Sequence, residues 1–175
     1  ICLDQEMSTT LTVSYNPETV DSYDAYFETD EEFLDVTSAE YTASDKVRVA
    51  TINALDKAGV TYIKAIAKAG GATAQIPVYV REKLPQAYVG RSAFLLEGLD
   101  ANATYRINDT TYTSSSNGTI RILDTWCGQE ISLVKLNAEE KCNSGTQLIS
   151  IPDTLLSEDI AVEMNVPVVG DVPAK

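Results

Sequence analysis

The chain has no histidine, three cysteines and one tryptophan in 175 residues, and only 13 basic residues against 26 acidic ones. Without histidine, the Ser-His and Cys-His arrangements of hydrolases and most zinc sites are excluded. A formal charge of −13 argues against nucleic acid, whose phosphates need clustered Lys and Arg, and against anionic lipid. No apolar run approaches the roughly 18–20 residues of a membrane span. No Cys-x-x-Cys is present, so dithiol redox chemistry and a cysteine nucleophile are not indicated. Ile1-Cys2-Leu3 runs straight into Asp4, Gln5 and Glu6, so no signal peptide is read there, and Ile1 suggests a processed protein or a fragment.

What the chain does have is apolar content of 44% and a hydrophobic period of two along most of its length. Leu11, Val13 and Tyr15 alternate with Thr12 and Ser14; Val47, Val49 and Thr51 alternate with Arg48, Ala50 and Ile52. Val60 to Lys68 follows Gly59 and stops at Gly70-Gly71; Ile76, Val78 and Val80 close the segment. Short alternating runs punctuated by Gly, Asn-Pro and Asp predict an all-β protein built of sandwiches. Thr51 to Ala58, rich in alanine, stays open as a short helix. Pro85 in Arg81-Glu82-Lys83-Leu84-Pro85-Gln86 reads as a linker. The expected organisation is a unit over 1–82, a second over 83–152, and a tail over 153–175. Their charges are −8, −1 and −4, so the acidity belongs to the first unit and the tail.

In the second unit strands are expected at Arg91–Glu97, Thr104–Asn108, Thr110–Thr113, Thr119–Leu123, Glu130–Leu136 and Gln147–Ile151. Asn117-Gly118 reads as a hairpin turn between Tyr112 and Ile120, since both residues tolerate positive φ. Tyr105, Ile107, Ile120, Ile122, Ile131, Leu133, Leu148 and Ile151 are the expected core, with Gly98 in a turn. Trp126 reads as core in preference to a stacking platform for a ligand. In the tail, Ile160, Val162, Met164, Val166 and Val168 alternate without a miss, which predicts one extra C-terminal strand.

Two resemblances follow from these motifs. Residues 9–80, with Leu11-Thr12-Val13-Ser14-Tyr15-Asn16-Pro17 in front and the Val-Thr-Tyr-Ile-Lys-Ala strand behind Gly59, resemble a bacterial Ig-like domain of the group 2 type; Phe27-Glu28-Thr29-Asp30 stands where that pattern has Trp-x-Ser-x-Asn. Residues 84–152 are similar to a repeat module of Gram-positive cell-surface proteins and adhesins. The similarity rests on Gly98-Leu99, Ala103-Thr104-Tyr105-Arg106-Ile107-Asn108, Asn117-Gly118, Trp126-Cys127-Gly128, Ile131–Lys135 and Gln147–Pro152; Cys127 and Cys142 depart from it. The resemblances imply two small Ig-like β-sandwich units in tandem, exported, extracellular and wall-associated, with no catalytic residue and no cofactor.

The remaining candidates are weighed on their chemistry. Glu18, Asp21, Asp24, Glu28, Asp30, Glu31, Glu32 and Asp35 place eight acids within 18 residues, open to a calcium site or a carboxylate pair. No Asp-x-Asp-x-Asp-Gly spacing is present, and a solvated acidic face is the plainer reading. Asn102, Asn108 and Asn117 each begin an N-glycosylation sequon and read as turn residues. Lys64 and Lys68 sit at helical spacing within a run that alternates as a strand. In an exported protein the simplest disulfide joins Cys127 to Cys142. A tight hairpin of the two flanking strands would put these residues at opposite ends, and a wide excursion of residues 137–146 would bring them together. Tyr15, Tyr23, Tyr26 and Tyr41 give the first unit a tyrosine-rich edge.

The function expected is a spacer or adhesion module of a bacterial surface protein, not an enzyme. Its partners would be other domains of that protein, neighbouring subunits, or a host or cell-wall glycan or protein, with no nucleic acid and no membrane insertion. Two alternatives stay open: a carbohydrate-binding module, and a pilus-like subunit assembled by exchange of the tail strand.

Overall fold

The computed structural model describes residues 1–15, 21–91 and 94–153, and its regular structure is strand apart from two single-turn 3-10 segments, Asp124–Trp126 and Glu140–Cys142. In chain order the strands are β1 (Cys2–Asp4), β2 (Ser8–Val13), β3 (Ala25–Thr29), β4 (Leu34–Ser38), β5 (Arg48–Ala54), β6 (Gly59–Ala67) and β7 (Thr73–Arg81). There follow β8 (Tyr88–Val89), β9 (Leu95–Glu97), β10 (Thr104–Ile107), β11 (Thr110–Thr113), β12 (Ile120–Arg121), β13 (Glu130–Lys135) and β14 (Gln147–Ser150).

The chain forms two compact units, one of Ile1–Leu84 with Val134–Thr146, the other of Pro85–Leu133 with the chain from Gln147. The break falls at Pro85, two residues beyond the expected boundary. Residues 134–146, expected in the second unit, go with the first because Glu82 holds them. Its backbone N–H donates to the Cys142 carbonyl at 2.8 Å. Its buried carboxylate accepts from Lys135 Nζ at 2.7 Å and from Asn137 Nδ2 at 2.9 Å.

In the first unit a sheet of order β1-β7-β6-β3 faces one of order β2-β5-β4. The orders β3-β6-β7 and β2-β5-β4 are those of strands C-F-G and B-E-D in an Ig-like sandwich. Strand β1 lies parallel to β7 over Tyr79–Arg81. The core gathers Leu3, Leu34, Ile52, Ala54, Ile63, Val78 and Val80. Strand β5 buries Ala50, Ile52 and Ala54 and exposes Val49, because the large Ile52 takes the core side. The Thr51–Ala54 stretch is strand, and the helical alternative for it does not form.

In the second unit a sheet of order β11-β10-β13-β14 faces one of order β12-β9-β8. Tyr105, Ile107, Ile120, Ile122, Ile131, Leu133 and Ile151 are buried there as expected. Leu148 is a correction: it is 61% exposed, and Ile149 is buried in its place, since the core side of β14 is set by Ile149 and Ile151. The tight hairpin is also elsewhere. Asn108-Asp109 joins β10 to β11, with Asn108 at φ 50°, whereas Asn117-Gly118 connects β11 to β12 in the opposite sheet. Gly118, at φ 69°, lets the chain pass so close to Leu99 that an added Cβ would lie 2.0 Å from its carbonyl oxygen. Glycine is required there. The tail strand expected at Ile160, Val162, Met164, Val166 and Val168 lies outside the described residues.

Candidate functional site

The acidic run does not converge on one point. Asp24, nearly buried, pairs with Arg48 Nε at 3.4 Å and Lys68 Nζ at 2.7 Å. Glu28 faces Lys64 Nζ at 3.3 Å across β3 and β6, and Glu32 pairs with Lys57. Asp30 accepts the Glu32 N–H at 3.0 Å and so shapes the turn into β4. Glu18 lies outside the described residues. Among the described residues no three or more acidic or thiol groups come together in a way that could hold a metal ion. Asp24, Glu28 and Glu32 therefore act as ion-pair partners and Asp30 as a turn former.

The tyrosines divide into two sets. Tyr15 and Tyr23 pack edge to face with centroids 5.5 Å apart. Tyr15 donates its hydroxyl to the Asp24 carbonyl at 2.8 Å, and Tyr41 accepts the Tyr23 N–H at 3.1 Å. Burial, and then the nearby Asp24 carboxylate, push the Tyr15 phenol upward. These three are structural. Tyr26 instead projects from the outer face of β3, 46% exposed. On β6 the same face carries Val60 and Tyr62, and Tyr62 stands opposite Pro77 of β7. Val60, Tyr62, Gln75 and Pro77 line a shallow trough there of about 410 Å³. Tyr62 was missing from the expected aromatic set, although its parity in β6, opposite to that of Ile63, signals it.

A second concavity lies between the sheets, at the margin where β2 is an edge strand. Leu11 and Val13 of β2 face Ile63 and Ala65 of β6 and Ala74 and Ile76 of β7 around a cleft of about 230 Å³. A further 140 Å³ continues it past Tyr15 and Ala72. Burial along the inward face of β7 records the opening. Val78 and Val80 are fully buried, Ile76 is half-buried and Ala74 is exposed. Strand β1 pairs with β7 over Tyr79–Arg81, and among the described residues no strand pairs with the rest of β7 on that side.

The cysteines are free thiols. Cys127 and Cys142, the expected pair, are both free thiols in the structure, Cys142 in the excursion that belongs to the first unit and Cys127 in the second unit. Cys142 is buried, and burial, followed by the Glu139 charge, pushes its thiol pKa up. Cys2 is exposed. Trp126 is 6% exposed and meets Tyr112 edge to face at 5.5 Å, so it is a core residue. Asn102 and Asn108 take positive φ in turns, and Asn117 lies in a turn as well. Asn108 Oδ1 accepts the Ser132 N–H at 3.0 Å.

No protein-family profile matches the chain, and no curated protein matches it. Among solved structures it is similar to an I-band fragment of titin, at 15% identity and a TM-score of 0.36, covering 87% of this chain and 61% of that one. It is also similar to the N-terminal eight Ig domains of Down Syndrome Cell Adhesion Molecule, at 13% identity and a TM-score of 0.30, covering 87% of this chain and 23% of that one. A third is the Bacteroides ovatus mixed-linkage glucan utilization locus protein SGBP-B in complex with a mixed-linkage heptasaccharide. There the identity is 12%, the TM-score 0.27, and the coverage 86% of this chain and 43% of that one. The chain spans less than two thirds of each of these structures. At such scores the Ig-like reading rests on the strand order of the first unit, not on these likenesses.

Proposed function

We propose that this chain is a non-catalytic module of an exported bacterial cell-surface protein, with its tandem sandwiches as spacer and the outer β3-β6-β7 face of the first unit as its contact surface. The observation that carries this reading is that face. Tyr26, Val60 and Tyr62 stand exposed on one side of a sheet whose opposite side is core. The buried charges are meanwhile committed to internal pairs: Asp24 with Arg48 and Lys68, Glu82 with Lys135. A rigid scaffold with its charges paired and its aromatics outward suits contact better than proton transfer.

A glycan is the ligand class that Tyr62, Pro77 and Gln75 favour, because a flat apolar ring accepts a sugar face while an amide bonds its hydroxyls. Intact producing cells treated with a membrane-impermeant biotin reagent should label the protein before lysis. Labelling only after lysis contradicts the surface reading. A glycan array should give hits that Tyr62→Ala removes; an array with no hits leaves the spacer role and removes the glycan.

A further inference from the structure

We propose that the outer face of the β3-β6-β7 sheet binds one extended strand of a neutral polysaccharide with β-1,4 linkages. Tyr62 and Tyr26 stack on two of its sugars, and Gln75, Lys64 and Glu28 bond the hydroxyls between them. The proposal rests on the reading of this face as a glycan contact and adds the shape, charge and length of the ligand.

Strand register lays these residues out in rows across the sheet, all within the first unit. Tyr62 of β6 stands opposite Pro77 of β7. Two residues further along β6, Lys64 stands between Gln75 of β7 and Glu28 of β3. Two residues beyond that, Tyr26 of β3 stands beside Ile66. Side chains two apart along a strand share a face, so the outer side of the sheet runs aromatic, polar, aromatic. At roughly 3.3 Å per residue, the four-residue step from the Tyr62 row to the Tyr26 row is about 13 Å, the reach of about three or four linked sugar rings. The rows are open to solvent. Tyr26 is 46% and Tyr62 40% exposed, Gln75 and Pro77 are exposed, and the trough at the Tyr62 end measures about 410 Å³.

Each row matches a part of such a ligand. A β-1,4-linked chain is a flat ribbon whose equatorial linkages leave the C–H faces of its rings uncovered, and a phenol ring accepts one of those faces. Pro77 widens the platform at Tyr62. In the row between, Lys64 Nζ meets Glu28 Oε2 at 3.3 Å. That contact leaves the ammonium two more donors and the carboxylate its second oxygen, while the Gln75 amide both donates and accepts. Neighbouring sugar hydroxyls, each donor and acceptor at once, suit such a row. Charge selects the neutral sugar. The Glu28–Lys64 pair cancels, and the chain as a whole carries −13, so a strand of uronates or sulfated sugars is repelled. Tyr15, Tyr23 and Tyr41, by contrast, are engaged with one another and with Asp24 inside the unit. Tyr26 and Tyr62 are the tyrosines of this sheet that its outer face presents to solvent.

The test is an NMR titration of the full chain with cello-oligosaccharides of increasing length, repeated with the series derived from xylan and from chitin. In at least one series affinity should rise about tenfold from the disaccharide to the tetrasaccharide and then level off, as the second stacked ring is gained. Amide shifts caused by the tetrasaccharide should centre on residues 26–28, 62–64 and 75–77. Tyr26→Ala should remove the rise and leave disaccharide binding unchanged, whereas Tyr62→Ala should remove binding at every length. Should Tyr26→Ala fail to fold, Tyr26→Thr keeps a strand-forming residue and repeats the test. A cellotetraose oxidised to uronates should bind more weakly than the neutral one. Affinity independent of length, a rise that survives loss of Tyr26, shifts centred elsewhere, or equal affinity for the uronate strand overturns the proposal. If all three series fail to bind while a glycan array gives hits that depend on Tyr62, this inference falls and the glycan-contact reading stands. An array with no hits removes both.

Discussion

Among the described residues, twelve buried residues of the second unit form one cluster around Tyr105 and Trp126, with Val89, Ala103 and Tyr112 half-buried against it, whereas seven form the cluster of the longer first unit, with Leu11, Phe27, Phe33, Val36 and Ile76 half-buried at its margins. The second unit closes because its loops pack with its sheets. Ser114, 3% exposed, accepts the Ala103 N–H at 2.9 Å and donates to the Asp100 carbonyl at 2.5 Å. The Asp100 N–H in turn reaches the Tyr105 hydroxyl at 2.9 Å. Buried polar groups bonded in this way fix one arrangement of the loops. The first unit has comparable order at the Glu82 end, and among the described residues its inward face is exposed at Ala74 and half-buried at Ile76.

The sharpest way to break this contrast is to hollow out the closed core. Ile131→Ala should cost about 3–4 kcal/mol, near the upper part of the range for a fully buried aliphatic residue. Urea unfolding followed by Trp126 fluorescence reports the second unit, since the chain has one tryptophan. The first unit's transition, followed by near-ultraviolet tyrosine signals, should stay in place. Gly118→Ala comes next, at about 2–4 kcal/mol, because the added Cβ meets the Leu99 carbonyl and a left-handed backbone at once. Gly70, at φ 80° with nothing within 4 Å of an added Cβ, provides the control and should lose only about 1 kcal/mol.

In the first unit Glu82→Ala should cost about 2 kcal/mol, because it strips a charged acceptor from Lys135 and Asn137. Residues 134–146 should then become sensitive to protease. Ile76→Ala should cost only about 1 kcal/mol, since a half-buried side chain gives up roughly half its transfer energy. A loss as large as that of Ile131→Ala would mean that the cleft is already filled.

The smallest effect is on pH dependence. Burial raises the Cys142 thiol above its usual value of 9.0, so the folded first unit holds that proton more tightly than the unfolded chain does. Its contribution is complete below the unfolded thiol pKa and is lost as pH rises through the folded value. Stability of the first unit should therefore decline on the alkaline side, and Cys142→Ser should flatten that decline. At pH 8 a thiol reagent should modify exposed Cys2 quickly and Cys142 only on unfolding.

Much of this contrast was legible in the residues, and the failures are specific. Alternation identified β2, β5, β6, β7, most strands of the second unit and most of its core, because a half-buried sheet must bury every second residue, but it did not mark β1, β3, β4 or β8. It misassigned Leu148, where two adjacent apolar residues left the parity of β14 undecided until Ile149 and Ile151 took the core side. It likewise could not show that Val49 faces outward, because Ala50 and Ile52 offer a competing apolar set. Asn117-Gly118 carried correct local chemistry, since Gly118 does take positive φ, but a turn motif does not say which sheet its two strands join. The excursion over 134–146 depends on Glu82 meeting Lys135 and Asn137 more than fifty positions along the chain. Nothing local announces such a pairing. The cleft was invisible for the same reason, since it is made by strands that β1 fails to cover.

The half-covered state of β7 is the central claim, and hydrogen exchange read residue by residue by NMR tests it most directly. At high dilution Thr73 and Gln75 should exchange rapidly, while Tyr79, whose N–H donates to the Ile1 carbonyl at 2.8 Å, should be strongly protected. Equal protection of Thr73, Gln75 and Tyr79 in the dilute chain alone would contradict the account.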